Sequence, residues 1–257
     1  VMLAEERRQR MVEMVAENAT VSVAEFANLF DTSESTIRRD LDRLEAAGLL
    51  VKVHGGAASV ETALTPAPFV AVEPTMAEKR DLHTSEKHVL AAWAAAQIQP
   101  DDFVYLDSGS TTQAIVEHLS ESACLATFVT NSVSLALTLA NRGARTIVIG
   151  GDVKAGTEAI VGPGALDALS RYNFSKGFWG ANGVTVEQGF TTPDASEAMV
   201  KLESMRHTCE RFVLADASKI GVVTPVTFSR FEDATLVTCG AVDPAISALS
   251  NVVEVSA

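Results

Sequence analysis

Residues Ser22–Gly56 read SVAEFANLFDTSESTIRRDLDRLEAAGLLVKVHGG, and this stretch decides the architecture of the N-terminal part. Its spacing predicts two short helices joined by a tight turn, then a two-stranded wing. Ser22 is placed to cap the first helix, and Glu25 three residues later completes a capping box. Val23, Phe26, Ala27 and Phe30 fall on one helical face. Asp31-Thr32-Ser33 interrupts that helix, and Ser33 can cap the next. In the second helix Ile37, Leu41 and Leu44 form the inward stripe, and Gly48 stands where a C′ residue is expected. Ser35, Thr36, Arg38, Arg39 and Arg43 then face outward. A short second helix with hydroxyl and Arg side chains at its exposed start has the shape that enters a DNA major groove.

The segment STIRRDLDRLEAAGLLVKVHGGA, Ser35–Ala57, resembles the signature of the DeoR-type bacterial transcription repressors. A helix-turn-helix pattern alone is a weak signal. The run Thr36-Ile37-Arg38-Arg39-Asp40-Leu41 followed by His54-Gly55-Gly56 is specific. An amphipathic hairpin with a solvated charged face needs neither the Gly-Gly wing nor two capped starts. The candidate operator contacts are Ser33, Ser35, Thr36, Arg38, Arg39, Arg43, Lys52 and His54.

Charge runs against a simple DNA-binding footprint. Residues 1–58 hold seven Lys and Arg against ten Asp and Glu, and the remainder holds thirteen against twenty-three, within a chain total of −13. A basic domain is the usual signature of a DNA binder. Here Arg38, Arg39, Arg43, Lys52 and His54 cluster locally, while Glu5, Glu6, Glu13 and Glu17 lie on the preceding helix. Weak non-specific affinity is expected, with binding carried by base contacts and by a homo-oligomer, dimer or tetramer.

A chain of 257 residues with 47% hydrophobic and 21% charged residues suits one small and one medium folded domain. The expected division is a winged helix-turn-helix over 1–58, a linker over 59–75 containing Pro66, Pro68 and Pro74, and an effector domain over 76–257. Cys124, Cys209 and Cys239 match no metal spacing and read as reduced thiols, so neither metal nor cofactor is expected. The N-terminus has no signal-peptide pattern, and no apolar run has transmembrane length. A cytoplasmic protein without membrane contact is expected. His83, His88, His118 and His207 show no ligand spacing and read as surface or core residues.

After a helical pattern over 76–99, short apolar strands alternate with helices. Strands are expected at 103–106, 126–130, 146–149, 177–179, 211–214 and 234–238, and helices at 112–119, 133–141 and 197–208. This pattern implies a parallel α/β sheet covered on both faces, with ligands beyond the carboxyl ends of its strands. Polar residues stand at those ends. Asp107-Ser108-Gly109-Ser110-Thr111-Thr112 leads straight into a helix, an arrangement that points backbone N–H groups at an anion. It lacks the Gly-Lys-Ser/Thr ending of a nucleoside-triphosphate loop. Thr130-Asn131-Ser132, Gly150-Gly151 and Gly180-Ala181-Asn182-Gly183 follow later strands. Any one of these reads as an ordinary capped turn; four in register point to a site.

These pieces, with GANGVTVEQGFTTPDASEAMVK (Gly180–Lys201) and Asp216-Ala217-Ser218-Lys219-Ile220-Gly221, also resemble the C-terminal half of DeoR-type regulators. The family usually has Phe where Ile220 stands. The resemblance implies a sensor domain with a fold like ribose-5-phosphate isomerase, which binds a phosphorylated sugar and thereby lowers operator affinity. Ser110, Thr111 and Thr112 are the candidate phosphate holders, and Lys201 and Lys219 candidate cations for phosphate or sugar oxygens. Asp107, Asn131, Asn182, Glu197 and Asp216 are candidates for sugar hydroxyls, and Ser108, Gly109, Thr130, Gly150, Gly151 and Gly180 complete the loops. By spacing alone Glu197 and Lys201 read as an exposed i,i+4 pair; the resemblance moves them into the site. Two other readings stay open. One is an isomerase acting by general acid–base catalysis, which would not need an attached DNA reader. The other is an activator or dual regulator. GFTTPD beside GANG resembles the fructose-operon regulators of the family more than the glycerol-phosphate ones, which implies fructose 1-phosphate as the effector to expect.

Overall fold

The computed structural model describes residues 4–18, 20–53, 56–59, 67–71 and 75–256. The chain forms two compact units, Val1–Ala67 with Val242–Val252, and Pro68–Ala241 with Val253–Ala257. The sequence reading set boundaries at 58 and 75. Residues 68–70 are not free linker, because Val70 N–H donates to the Val223 carbonyl at 2.9 Å and Val223 N–H to the Pro68 carbonyl at 3.0 Å.

The first unit holds helices α1 (Ala4–Asn18), α2 (Val23–Leu29) and α3 (Glu34–Ala46). The capping box forms as expected: Glu25 N–H donates to Ser22 Oγ at 3.1 Å, and Ser22 N–H to Glu25 Oε2 at 2.8 Å. Ser33 caps α3, accepting from Thr36 N–H at 3.3 Å. Gly48 takes φ +70 just past the end of α3. Ile37, Leu41 and Leu44 are buried against Met11, Val15, Phe26 and Leu50. The expected two-stranded wing carries a third strand. β1 (Thr20–Ser22), β2 (Val51–Val53) and β3 (Gly56–Ala58) pair antiparallel in the order β1-β3-β2. Three residues that end on a helix cap show no alternation, so β1 had no sequence signal. Gly56 is required there, since a Cβ would stand 2.3 Å from the Val21 carbonyl oxygen.

The second unit contains helices α4 (Met76–Asp81), α5 (Thr84–Ala96), α6 (Ser110–His118), α7 (Val133–Asn141), α8 (Pro163–Leu169) and α9 (Ala195–Arg206). Its main sheet uses β4 (Phe103–Leu106), β5 (Thr127–Thr130), β6 (Arg145–Val148), β9 (Phe174–Gly180), β12 (Thr208–Leu214), β14 (Thr235–Thr238) and β15 (Val252–Glu254). The order is β15-β14-β12-β9-β4-β5-β6, and the pairs from β14 to β6 are parallel as expected. Leu106 pairs with Thr130 and Phe178, so β4 and β5 end level, and Leu214 pairs with Gly180, so β9 and β12 run two residues further at the same edge. Leu90, Val104, Leu106, Ile115, Phe128, Leu135, Phe178 and Leu214 share the core between sheet and helices.

Two smaller sheets were not anticipated. β7 (Asp152–Lys154) and β8 (Ala159–Val161) form a hairpin. β10 (Gly183–Thr185), β11 (Gly189–Thr192) and β13 (Val226–Ser229) form a three-stranded antiparallel sheet. All are three or four residues long.

Trp179 folds back over Gly177 on the same face of β9 and stacks near Tyr105, ring centroids 5.6 Å apart. Its indole N–H donates to Ser204 Oγ at 2.9 Å and so fixes α9. A Cβ on Gly177 would meet the Trp179 ring at 2.2 Å. Gly177→Ala is therefore expected to destabilise the second unit by about 1–3 kcal/mol through overpacking. Gly150→Ala, where nothing lies within 4 Å of the added atom, should be neutral. Scanning calorimetry of the two variants measures the contrast.

Candidate functional site

On the first unit, Arg38, Arg39, Ser33 and Ser35 are exposed along the start of α3, with Thr36 half-buried and Arg43 exposed one turn further on. The Ser33 hydroxyl is shared with Ser35 Oγ and Thr36 Oγ1, both at 2.9 Å, so it shapes the helix start as well as facing outward. Arg38 pairs with Glu34 at 3.0 Å and Lys52 with Asp42 at 2.5 Å. Among the described residues, Arg39 and Arg43 make no ion pair. His54 lies outside the described residues. Asp40, buried in the same helix, draws Arg7 (2.7 Å) and Arg8 (3.4 Å) inward from α1. Those two arginines thus brace the fold.

On the second unit a cavity opens at the carboxyl ends of β4, β9 and β12. It is lined by Asp107, Ser108, Gly109, Ser110 and Thr111 after β4, by Gly180 and Asn182 after β9, by Asp216 and Lys219 after β12, and by Glu197 and Lys201 of α9. The start of α6 faces it with Gly109 as N-cap and no side-chain cap on its first turn, which leaves the positive end of the helix turned to the cavity.

The Glu197–Lys201 pair does not form. Both side chains are buried and each has a different partner. The Lys201 ammonium binds the Asp107 carboxylate and donates to the Gly180 carbonyl at 3.0 Å. It also lies over the Phe228 ring, 5.4 Å from the centroid. Asp107 Oδ2 further accepts from Gly180 N–H at 3.3 Å, while Asp107 Oδ1 is buried without a hydrogen-bond partner. Glu197 Oε1 accepts from Thr157 Oγ1 at 2.6 Å and from Lys154 Nζ at 2.8 Å. Lys154 also reaches Asp194 at 3.0 Å. Burial works against the Lys154 charge, yet Glu197 and Asp194 together hold its pKa above the ordinary lysine value.

Five candidates do not line the cavity. Thr112 is fully buried and its hydroxyl donates to the Asp107 and Gly109 carbonyls, both at 2.7 Å, so it shapes the loop. Thr130 is buried and accepts from Ser132 N–H at 3.1 Å. Asn131 sits behind the cavity, accepting from the Tyr105 hydroxyl at 3.1 Å. Burial, then the nearby Asp107 charge, pushes the Tyr105 phenol well above its ordinary value. Gly150 and Gly151 belong to the approach to the β7–β8 hairpin, where a Cβ on Gly151 would stand 2.6 Å from the Val161 carbonyl oxygen. Sequence reasoning missed Met76, Lys79, His83, Lys87 and Thr157, which do line the cavity. His83 had read as a surface or core residue. None of these follows a main-sheet strand, which was the signal used. Among the described residues no group of three His, Cys, Asp or Glu could hold a metal ion, and no helix is long and apolar enough to cross a membrane.

Residues 7–63 match the DeoR-like helix-turn-helix domain, and residues 82–240, more than half of the chain, match the DeoR C terminal sensor domain. The chain belongs to the DeoR family. This DeoR-family chain is 38% identical over 240 residues to the HTH-type transcriptional regulator FruR of Bacillus subtilis, covering 93% of this chain and 92% of that protein. It is 28% identical over 258 residues to the lactose phosphotransferase system repressor of Streptococcus mutans, covering 99% of each. Ribose 5-phosphate isomerase A from Methanocaldococcus jannaschii gives a TM-score of 0.37 at 16% identity, covering 52% of this chain and 53% of that chain, a likeness too slight to carry an argument.

Lys201→Ala leaves the Asp107 carboxylate buried without its cation and is expected to cost about 3–5 kcal/mol of stability. The double variant Asp107→Asn/Lys201→Met should recover most of that loss, because no buried charge is left alone. Chemical denaturation of the two variants tests both.

Proposed function

We propose that this DeoR-family protein represses a sugar-utilisation operon and leaves its operator when a phosphorylated sugar fills the cavity of the second unit. The observation that carries the reading is the joining, in one chain, of an exposed arginine-bearing recognition helix and a cavity whose lining combines an uncapped helix start with lysines. Ser110 and Thr111 would hold the phosphate through their N–H groups. Lys219 would add a cation, and Asp107 Oδ1, buried and unpartnered, would accept a sugar hydroxyl. Asp107 and Glu197 are taken as ligand-orienting groups, not as acid–base catalysts, since each is already ion-paired to a lysine. GFTTPD, Gly189–Asp194, beside GANG makes fructose 1-phosphate the first sugar to test.

On the DNA side, α3 would present Arg38 and Arg39 to base edges and phosphates, with Ser35, Thr36, Arg43 and Lys52 beside them. One module of this size buries too little surface for operator-level affinity, so the reading includes a homo-oligomer on repeated half-sites. Replacing a base-reading Arg costs roughly 1–3 kcal/mol of specific binding. The Arg38→Ala/Arg39→Ala variant should thus lose operator affinity in gel shifts while keeping its circular dichroism. Unchanged binding would sink the assignment.

Thr111→Asp places a carboxylate where the phosphate is expected and should leave the protein on its operator at every sugar-phosphate concentration. Effector and operator binding are reciprocal, so operator DNA should weaken sugar-phosphate binding in the native protein by the factor that effector weakens operator binding. Titration calorimetry with and without operator measures both. Normal effector binding by Thr111→Asp, or loss of operator binding by a folded variant, would count against the site.

A further inference from the structure

The chain leading into the second unit is fastened to the cavity at two points. Residues 68–70 pair with Val223, in the segment that follows Lys219. Met76 N–H, at the start of α4, donates to the Gly156 carbonyl at 3.0 Å, next to Thr157. Arg80 adds an exposed ion pair to Glu158 at 3.3 Å. Lys219 and Thr157 both line the cavity, as do Met76 and Lys79 of α4 and His83 just beyond it. α4 also packs against α6, whose uncapped start faces the same space.

Backbone strain gathers at the same place. Among the described residues only Asp31, His83 and Glu158 have positive φ without being glycine. Two of the three, His83 at φ +51 and Glu158 at φ +55, stand at the exit of α4 and on the loop that holds it. Such outliers persist where surrounding contacts enforce them, and they collect at ligand clamps and switches. Among the described residues these fastenings surround a buried Met76 side chain, and the buried Lys87 ammonium also donates to the Lys79 carbonyl. Phe69, Val70 and Leu82 are exposed apolar residues on this stretch. A ligand that binds one seating of the segment better than another shifts its position by that difference in affinity. Residues 64–81 also lie outside both matched family segments, so no family assignment reaches α4.

We propose that residues 67–71 and 75–83 form a ligand-reading clasp. Lys79 and His83 contact the anionic end of the bound sugar phosphate. The seating of α4 then passes occupancy to the linker, and so to the DNA-binding unit. The proposal rests on the sugar-phosphate reading of the cavity. It adds the binding residues Lys79 and His83 and the route by which binding is reported.

Hydrogen exchange of the full-length protein separates the two claims. The probes are fructose 1-phosphate, fructose 1,6-bisphosphate, glucose 6-phosphate and ribose 5-phosphate, with inorganic phosphate as comparator. With the tightest binder at saturation, peptides covering 75–84 should exchange at least about fivefold more slowly, together with those covering 107–112. Lys79→Ala should weaken that ligand roughly tenfold or more, the loss of a charge-assisted contact. At saturation this variant should keep protection at 107–112 and lose it at 75–84. Protection confined to 107–112, with 75–84 unchanged in the native protein, overturns the clasp and leaves the cavity reading standing. Protection nowhere, with every probe, overturns the cavity reading and the clasp with it.

Discussion

The buried pair of Lys201 and Asp107 is the constraint on which the second unit depends. It joins the end of β4 to α9, and its contact with Gly180 adds the end of β9. A lysine and an aspartate taken out of water are tolerated only when each satisfies the other. The loop after β4 and the helix α9 are therefore held in one register. With the loop held, the start of α6 faces the cavity. With α9 held, Glu197 is positioned to engage Thr157 and Lys154 of the β7–β8 hairpin. The cavity exists because these elements cannot drift apart.

One carboxylate oxygen is left over from this arrangement. Asp107 uses Oδ2 for the protein and keeps Oδ1 buried and unpaired. An unsatisfied buried acceptor is costly, and a ligand donor would relieve that cost. Under the proposed sensor reading, phosphate would engage the cationic end and a sugar hydroxyl would engage Oδ1.

On the DNA-binding unit the acidic balance of the chain finds a local explanation. Arg7 and Arg8 turn inward to Asp40, and Arg38 and Lys52 are each matched by a carboxylate. What remains outward and unmatched among the described residues is concentrated at Arg39 and Arg43. A unit built this way holds little charge in reserve for non-specific DNA.

Local patterns were readable in the chain itself. Ser22 with Glu25, Ser33 before α3, the Ile37-Leu41-Leu44 stripe, and the apolar strands followed by Ser, Thr and Gly each depend on neighbours within four residues. The helix-turn-helix, the parallel sheet and the loop from Asp107 to Thr111 were legible for that reason. Which charges pair was not. Glu197 and Lys201 sit four apart on one helix, and sequence spacing suggested that they meet. Packing of α9 on the sheet instead sends Lys201 to Asp107, 94 residues away, and Glu197 to Lys154 and Thr157. Likewise α4 carries no loop signature, and long-range contacts, its bond to Gly156 and its packing on α6, bring Lys79 to the cavity. Short-range propensity specifies elements; the partners of buried charges are chosen by long-range packing, because burial makes an unpaired charge too costly to keep.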